Sequence, residues 1–112
     1  MVEDTDIVFI NTLTLKDDSD FKKLETAIAT LLKCYNNRCA FLMTEKFIEI
    51  KVLILKCLRQ KAKLNNVLQE RLNFTLEQEV FKFPLQQGLQ VWFRQGGENT
   101  IFADLYWVFQ IN

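Results

Sequence analysis

The sequence predicts a small α+β domain in which two or three helices pack on an antiparallel sheet that ends in a C-terminal β-hairpin, at about 88–111. Three observations support this fold class: apolar residues alternate strictly near the C-terminus, apolar residues recur with helical spacing after residue 17, and the chain of 112 residues suits a single domain spanning 1–112. Apolar residues make up 49% of the chain, with one proline and three glycines, which excludes a disordered or fibrous protein.

The first regular segment is DIVFINTLTL, residues 6–15, which is rich in β-branched residues and predicts a strand. Simple alternation places one set of side chains on one face, namely Ile7, Phe9, Leu13 and Leu15. The other face then carries Val8, Ile10, Thr12 and Thr14. We expect residues 1–5 to form a flexible acidic N-terminus.

A helix is predicted next. Its start is marked by residues that cap a helix or have a charge that favours its N-terminus: Asp17, Asp18, Ser19 and Asp20. An apolar stripe at helical spacing follows, formed by Phe21, Leu24, Ile28, Leu31, Leu32 and Tyr35. Asn36 and Asn37 tolerate the left-handed conformation, so we expect the helix to end there.

The middle of the chain fits two interpretations. Alternating apolar residues in 48–54 are compatible with a strand after a turn at 44–46. A helix from Thr44 to about Leu72 is also compatible, because apolar residues follow one drifting stripe. We favour the helix slightly over 45–55 and clearly over 56–72, where leucine, lysine, glutamine and arginine predominate.

Residues 73–84 carry two conflicting signals. Thr75 with Gln78 matches a capping box, whereas VFKF at 80–83 is typical of a strand. Pro84 is expected to end either element.

The C-terminal hairpin is the clearest β pattern. One face of its second strand has no polar interruption: Ile101, Ala103, Leu105, Trp107, Phe109 and Ile111. The first strand matches it with Leu89, Val91 and Phe93, and the glycine-rich GGEN supplies the turn. We expect these residues in the core, in a register where paired residue numbers have an even sum.

The reverse face of the hairpin is unusually aromatic for a surface. The candidate partner-binding residues on it are Trp92, Arg94, Phe102, Asp104 and Tyr106. Three fates remain open for this face: cover by the protein's own helices, which we weigh most, cover by a partner chain, and stacking of nucleic-acid bases. The plainest role for Asp104 is an ion pair with Arg94 across the hairpin.

Charge is balanced overall but unevenly distributed. Residues 1–20 carry six acids and one lysine, a net charge of −5, whereas residues 46–72 carry seven bases and two acids, a net charge of +5. We favour one internal salt-bridged surface over two docking patches. Within the basic segment, Lys56, Arg59 and Lys63 have the spacing of one helix face and could meet phosphate or an acidic partner. A solvated helix face explains the same residues, and we favour that interpretation.

Motifs for catalysis, cofactors and metals are missing from the sequence. The chain has no histidine, its three cysteines lack paired spacing, and no nucleotide-binding or nucleophile motif occurs. We therefore expect no enzyme activity, no cofactor and no metal. Unpaired cysteines suit a reducing, intracellular location, in the cytoplasm with the nucleus left open. The longest apolar run, VLIL at 52–55, is too short to span a bilayer.

Taken together, these features favour a non-catalytic protein–protein interaction module: a subunit, adaptor or inhibitor of an intracellular complex, bound to another protein or to its own copies. The first alternative is a nucleic-acid-associated protein that uses the basic segment 51–63. The second is a small-ligand binder or a carboxylate enzyme, for which Glu77, Glu79 and Asp104 are the candidate acids.

Overall fold

The protein is described by a computed structural model that covers residues 4–33, 44–64, 66–67, 80–97 and 99–111. Along the chain the elements are β1 (Asp4–Leu15), α1 (Asp18–Leu31), α2 (Glu45–Gln60), β2 (Val80–Gln86), β3 (Leu89–Gly97) and β4 (Thr100–Ile111). The four strands form one antiparallel sheet in the order β1-β4-β3-β2. The α+β class and the C-terminal hairpin are confirmed.

The β3–β4 hairpin has the predicted register, because Leu89 pairs with Trp107 and Arg94 with Phe102, both with an even sum. Six of its odd-numbered side chains are buried in a cluster that also contains the buried residues of α1 and α2: Leu89, Val91, Phe93, Ile101, Ala103 and Leu105. The side chain of Ile111 lies outside the described residues. Trp107 is only partly buried and Phe109 is half exposed, so the prediction of an apolar core along the whole of β4 is wrong at this end. The reason is that β3 begins opposite Trp107, and beyond it only β1 pairs with β4.

Helix α1 begins with a capping box. The Asp17 carboxylate accepts a hydrogen bond from the Asp20 amide at 3.2 Å, and the Asp20 carboxylate accepts one from the Asp17 amide at 3.3 Å. Hydrogen bonds from the Ser19 hydroxyl and the Asp20 amide lower the pKa of Asp17. The predicted stripe buries Phe21, Leu24 and Ile28. The expected helix end at 36–37 lies outside the described residues.

Helix α2 resolves the ambiguous segment 45–55 as a helix. The Thr44 hydroxyl caps it by accepting a hydrogen bond from the Phe47 amide at 3.1 Å. Its buried face consists of Phe47, Ile50, Leu53, Ile54 and Cys57.

The predicted single helix from Thr44 to about Leu72 is interrupted, because α2 ends at Gln60. Residues 64 and 66–67 are helical again, and 68–72 lie outside the described residues. Lys61 adopts a left-handed conformation with φ of 55°, and the Ala62 amide donates to the Cys57 carbonyl oxygen. The chain then turns so that Leu64 is fully buried and its amide donates to Gln95 Oε1 at 2.9 Å.

Two further differences concern the edge strands. The β1–β4 register shifts between Phe9 and Asn11, so Ile7 and Phe9 lie on the opposite face from Leu13 and Leu15 instead of sharing it. Pro84 does not end a strand but lies inside β2, opposite Gln90. Because β2 is at the edge of the described sheet, a residue without an amide proton is tolerated there.

Opposite charges join the two helices. Lys51 Nζ of α2 lies 3.4 Å from Asp18 Oδ1 and 3.5 Å from Glu25 Oε1, and both acids are on α1. One contact between the acidic and basic segments is therefore internal, as the favoured interpretation predicts. The acidic N-terminus takes part in the sheet from Asp4 onwards, where β1 begins, and residues 1–3 lie outside the described residues.

The left-handed Lys61 provides a test of where α2 ends. Replacing Lys61 with glycine should raise the free energy of unfolding by about 1 kcal/mol, because glycine adopts this conformation without steric cost. Arg59→Gly, inside the last turn, should lower it by about 1 kcal/mol. Urea denaturation of both variants measures the difference. If Lys61→Gly is destabilising as well, the helix continues past Gln60 in solution.

Candidate docking surface

The sheet has a second face that points away from the core shared with α1 and α2, and we call it the open face. It carries Ile7, Phe9, Thr12 and Thr14 of β1, Lys82 of β2, Gln90, Trp92 and Arg94 of β3, and Phe102, Asp104, Tyr106 and Val108 of β4. Both described helices direct their buried residues to the other face. The three large aromatic residues of the hairpin on this face remain partly exposed, so α1 and α2 do not cover it.

A carboxylate lies at the centre of the open face. Asp104 is only 5% exposed, although it carries an ionisable group. Its Oδ2 accepts a hydrogen bond from Arg94 Nε at 2.6 Å, and its Oδ1 accepts from the Thr12 hydroxyl at 2.6 Å and from Arg94 Nη2 at 3.3 Å. The predicted ion pair is confirmed, and it raises the pKa of Arg94. Asp104 thereby connects β3, β4 and β1.

An aromatic cluster lies beside this carboxylate. The rings of Trp92 and Tyr106 have centroids 4.0 Å apart, and Phe9 meets Tyr106 edge-on at 5.6 Å. Burial raises the pKa of the Tyr106 hydroxyl, and the nearby Asp104 carboxylate raises it further. Trp92 Nε1 donates to Gln90 Oε1 at 2.8 Å, which fixes the indole ring on its own strand.

Two cations lie on aromatic rings of the open face. Lys82 Nζ is 4.4 Å from the Trp92 ring centroid, and Arg94 Cζ is 4.4 Å from that of Phe102. The Phe102 ring packs so closely on the backbone of Gly96 that a Cβ at this position would lie 2.4 Å from a ring carbon. Glycine at position 96 therefore leaves room for the Phe102 ring, over which Arg94 lies.

The structure brings all five predicted partner-binding residues onto one face. Asp104 differs from the other four, because its oxygens are already bound by Arg94 and Thr12. The sequence did not predict Phe9, whose face depends on the register shift in β1, or the contact of Thr12 with Asp104. It also missed Lys82, which the alternation of VFKF could have placed opposite Trp92.

The basic segment does not form the predicted single helix face. Lys63 lies beyond the end of α2, so the helical step from Arg59 does not reach it. Lys51 is engaged with α1, and Lys56 is partly buried. Arg59 is exposed and lines a shallow groove of about 340 Å³ with Asp17 and Asp18, which supply opposite charge.

Little in the described part of the chain suggests metal or thiol chemistry. It contains no group of three or more cysteine or acidic residues that could hold a metal ion. Cys57 is buried in the core, and burial raises the pKa of its thiol. Cys34, Cys39, Glu77 and Glu79 lie outside the described residues. Among the helices described, none has the length and hydropathy required to cross a membrane.

Comparisons with known proteins add no relative. The chain matches no protein-family model, no curated protein and no solved structure. The features of this chain that bear on function are therefore those of the open face: the aromatic cluster, the two cations over aromatic rings and the buried carboxylate.

The asymmetric burial of the ion pair leads to a test. Arg94→Met leaves Asp104 buried with one hydroxyl donor, so we expect the free energy of unfolding to fall by about 2–3 kcal/mol. Asp104→Asn leaves Arg94, whose side chain is 40% exposed, free to reach water, and should cost only about 1 kcal/mol. Chemical denaturation measures both. Equal losses, or a larger loss for Asp104→Asn, would contradict this description of the pair.

Proposed function

We propose that this protein is a non-catalytic interaction module and that its open face docks a protein partner. The observation that carries the proposal is the cluster of Phe9, Trp92 and Tyr106, which lies on a sheet face that neither described helix covers. Tryptophan, tyrosine and arginine dominate the binding energy of protein interfaces. The neighbouring Phe102 and Arg94 extend the same surface.

The open face is also suited to docking because its side chains are already held in place. Trp92 is fixed by Tyr106 and by a hydrogen bond to Gln90, while Arg94 is fixed by Asp104. Side chains ordered before binding lose less conformational entropy when a partner arrives. In this proposal Asp104 positions Arg94 and does not itself contact the partner.

The charges of the face indicate what the partner surface should contain. Lys82 and Arg94 contribute two positive charges, and Asp104 contributes one negative charge. Arg94 neutralises Asp104, so the charge of Lys82 remains for a partner. Lys82 is exposed at the edge of the aromatic cluster. We therefore expect an apolar partner surface with a carboxylate placed to reach Lys82.

The alternatives receive less support from the same contacts. Base stacking requires free ring faces, whereas Trp92 already contacts Tyr106 and carries Lys82 over its ring. The basic row that favoured a nucleic-acid partner is divided by the turn at Lys61. Acid–base chemistry at Asp104 is disfavoured because three hydrogen bonds hold its carboxylate. We place the interaction in the cytoplasm, on the unpaired cysteines of the sequence.

Two matched lysine variants test this function. The tagged protein is recovered from cells of its native host as wild type, as Lys82→Glu on the open face, and as Lys46→Glu on α2, where the lysine is also exposed. We expect a specific protein that co-purifies with wild type and with Lys46→Glu but is reduced at least tenfold with Lys82→Glu. The reason is that a reversed charge repels the partner's carboxylate and removes the cation from Trp92.

Circular dichroism checks that both variants fold. Co-purification that Lys82→Glu leaves unchanged would contradict docking at the open face. Recovery of nuclease-sensitive material that Lys82→Glu leaves unchanged and that Lys56→Glu with Arg59→Glu abolishes would favour the nucleic-acid alternative.

A further inference from the structure

The two edges of the described sheet are protected very differently. Strand β2 is seven residues long and contains Lys82 and Pro84, both of which discourage a further strand. Strand β1 is twelve residues long and contains neither lysine nor proline. Its outer edge pairs with no strand in the described part of the sheet. The β1 edge is therefore open to strand addition over the stretch that precedes the register shift at Phe9.

Exposed apolar side chains lie along this same stretch. Ile7, Val8 and Phe9 are 51, 48 and 56% exposed, and they are consecutive, so they present apolar surface on both faces of the strand. Strand β3 begins opposite Trp107, and beyond that point β4 is the only described strand that supports β1. A two-stranded ribbon with apolar residues on both faces gains stability when a further strand extends it.

We propose that β1 is a dimerisation edge, which pairs antiparallel with β1 of a second copy about a two-fold axis at Val8. Directly opposite residues of antiparallel strands share a face, so a two-fold axis requires that paired residue numbers have an even sum. A register centred on Asp6 places two carboxylates opposite each other, and one centred on Ile7 places Asp6 opposite Val8. The register centred on Val8 brings Ile7 opposite Phe9 and Val8 opposite Val8.

This register also separates the charges. Asp6 lies opposite Ile10 of the second copy, so the two Asp6 residues are four positions apart, which is roughly 13 Å at about 3.3 Å per residue. That separation exceeds the Debye length of about 8 Å at physiological ionic strength. A second copy thus matches this edge in apolar contact, and the register keeps the like charges of the two copies apart.

The size of the patch sets the expected strength of the dimer. Three half-exposed apolar side chains present roughly 300 Å² per copy, taking about 150–250 Å² for a large side chain. Stable interfaces bury about 800 Å² per partner, so backbone pairing must supply much of the remainder. We expect dissociation in the micromolar range. The dimer does not depend on the proposed function, because Val8, which lies at its axis, points to the face opposite Tyr106. Phe9 borders both surfaces, so the test variants change Val8 and not Phe9.

Sedimentation velocity on the full chain over a range of concentrations tests the proposal. Wild type should form a dimer, and Val8→Lys or Val8→Glu should each raise its dissociation constant at least tenfold, because like charges meet at the axis about 5 Å apart. An equimolar mixture of the two variants should restore the dimer, since opposite charges then face each other. Val52→Lys on α2, where valine is 56% exposed, serves as the matched control and should dimerise as wild type does.

Circular dichroism shows whether each variant folds. Val8→Thr keeps the size of the side chain without adding a charge, so together the two controls separate loss of pairing from loss of folding. A wild type that stays monomeric at several hundred micromolar overturns the proposal, and this outcome includes an edge that the chain itself covers. A dimer that Val8→Lys leaves intact overturns the assignment to β1. Failure of the mixture to restore dimerisation overturns the axis at Val8.

Discussion

The register of β4 is the constraint on which the rest of the structure depends. Its neighbours β1 and β3 pair with it along both sides, so its alternation decides what each face of the sheet contains. Ile101, Ala103 and Leu105 are buried against the helices, while Asp104 points the opposite way. A shift of one residue would direct the carboxylate into the apolar core, where an unpaired charge is very costly. Arg94 from one neighbour and Thr12 from the other both bind Asp104, so a single polar contact reinforces the register on both sides.

Much of this organisation follows from local sequence patterns. The hairpin register, the stripe and cap of α1, and the Arg94–Asp104 pair were all predictable, because each depends on a periodicity or on neighbours across one short turn. Strict alternation without a polar interruption leaves one arrangement that buries the apolar face. The five candidate residues of the open face followed from the same alternation.

What could not be predicted depends on interactions between distant segments. No glycine or proline marks the shift between Phe9 and Asn11, yet it moves Ile7 and Phe9 onto the face of Thr12, where Tyr106 contacts Phe9 and Asp104 binds Thr12. The end of α2 at Gln60 falls at a lysine in a left-handed conformation and is accompanied by burial of Leu64. Tertiary packing overrides helix propensity at residues 61–63, which lie between described helical residues in a stretch composed largely of good helix formers. Pro84 is tolerated only because β2 is an edge strand, and that depends on sheet order.

The central claim is that the chain leaves its aromatic face accessible. The chain has two tryptophans, so a Trp107→Phe variant reports on Trp92 alone. The rate at which acrylamide quenches the Trp92 fluorescence of this variant should lie between the rate for a fully buried tryptophan and the rate for free indole. The rate should rise in a further Lys82→Ala variant, because the lysine no longer shields the ring. Quenching as slow as that of a fully buried tryptophan, and unchanged by Lys82→Ala, would show that the chain itself covers the face and would contradict docking there.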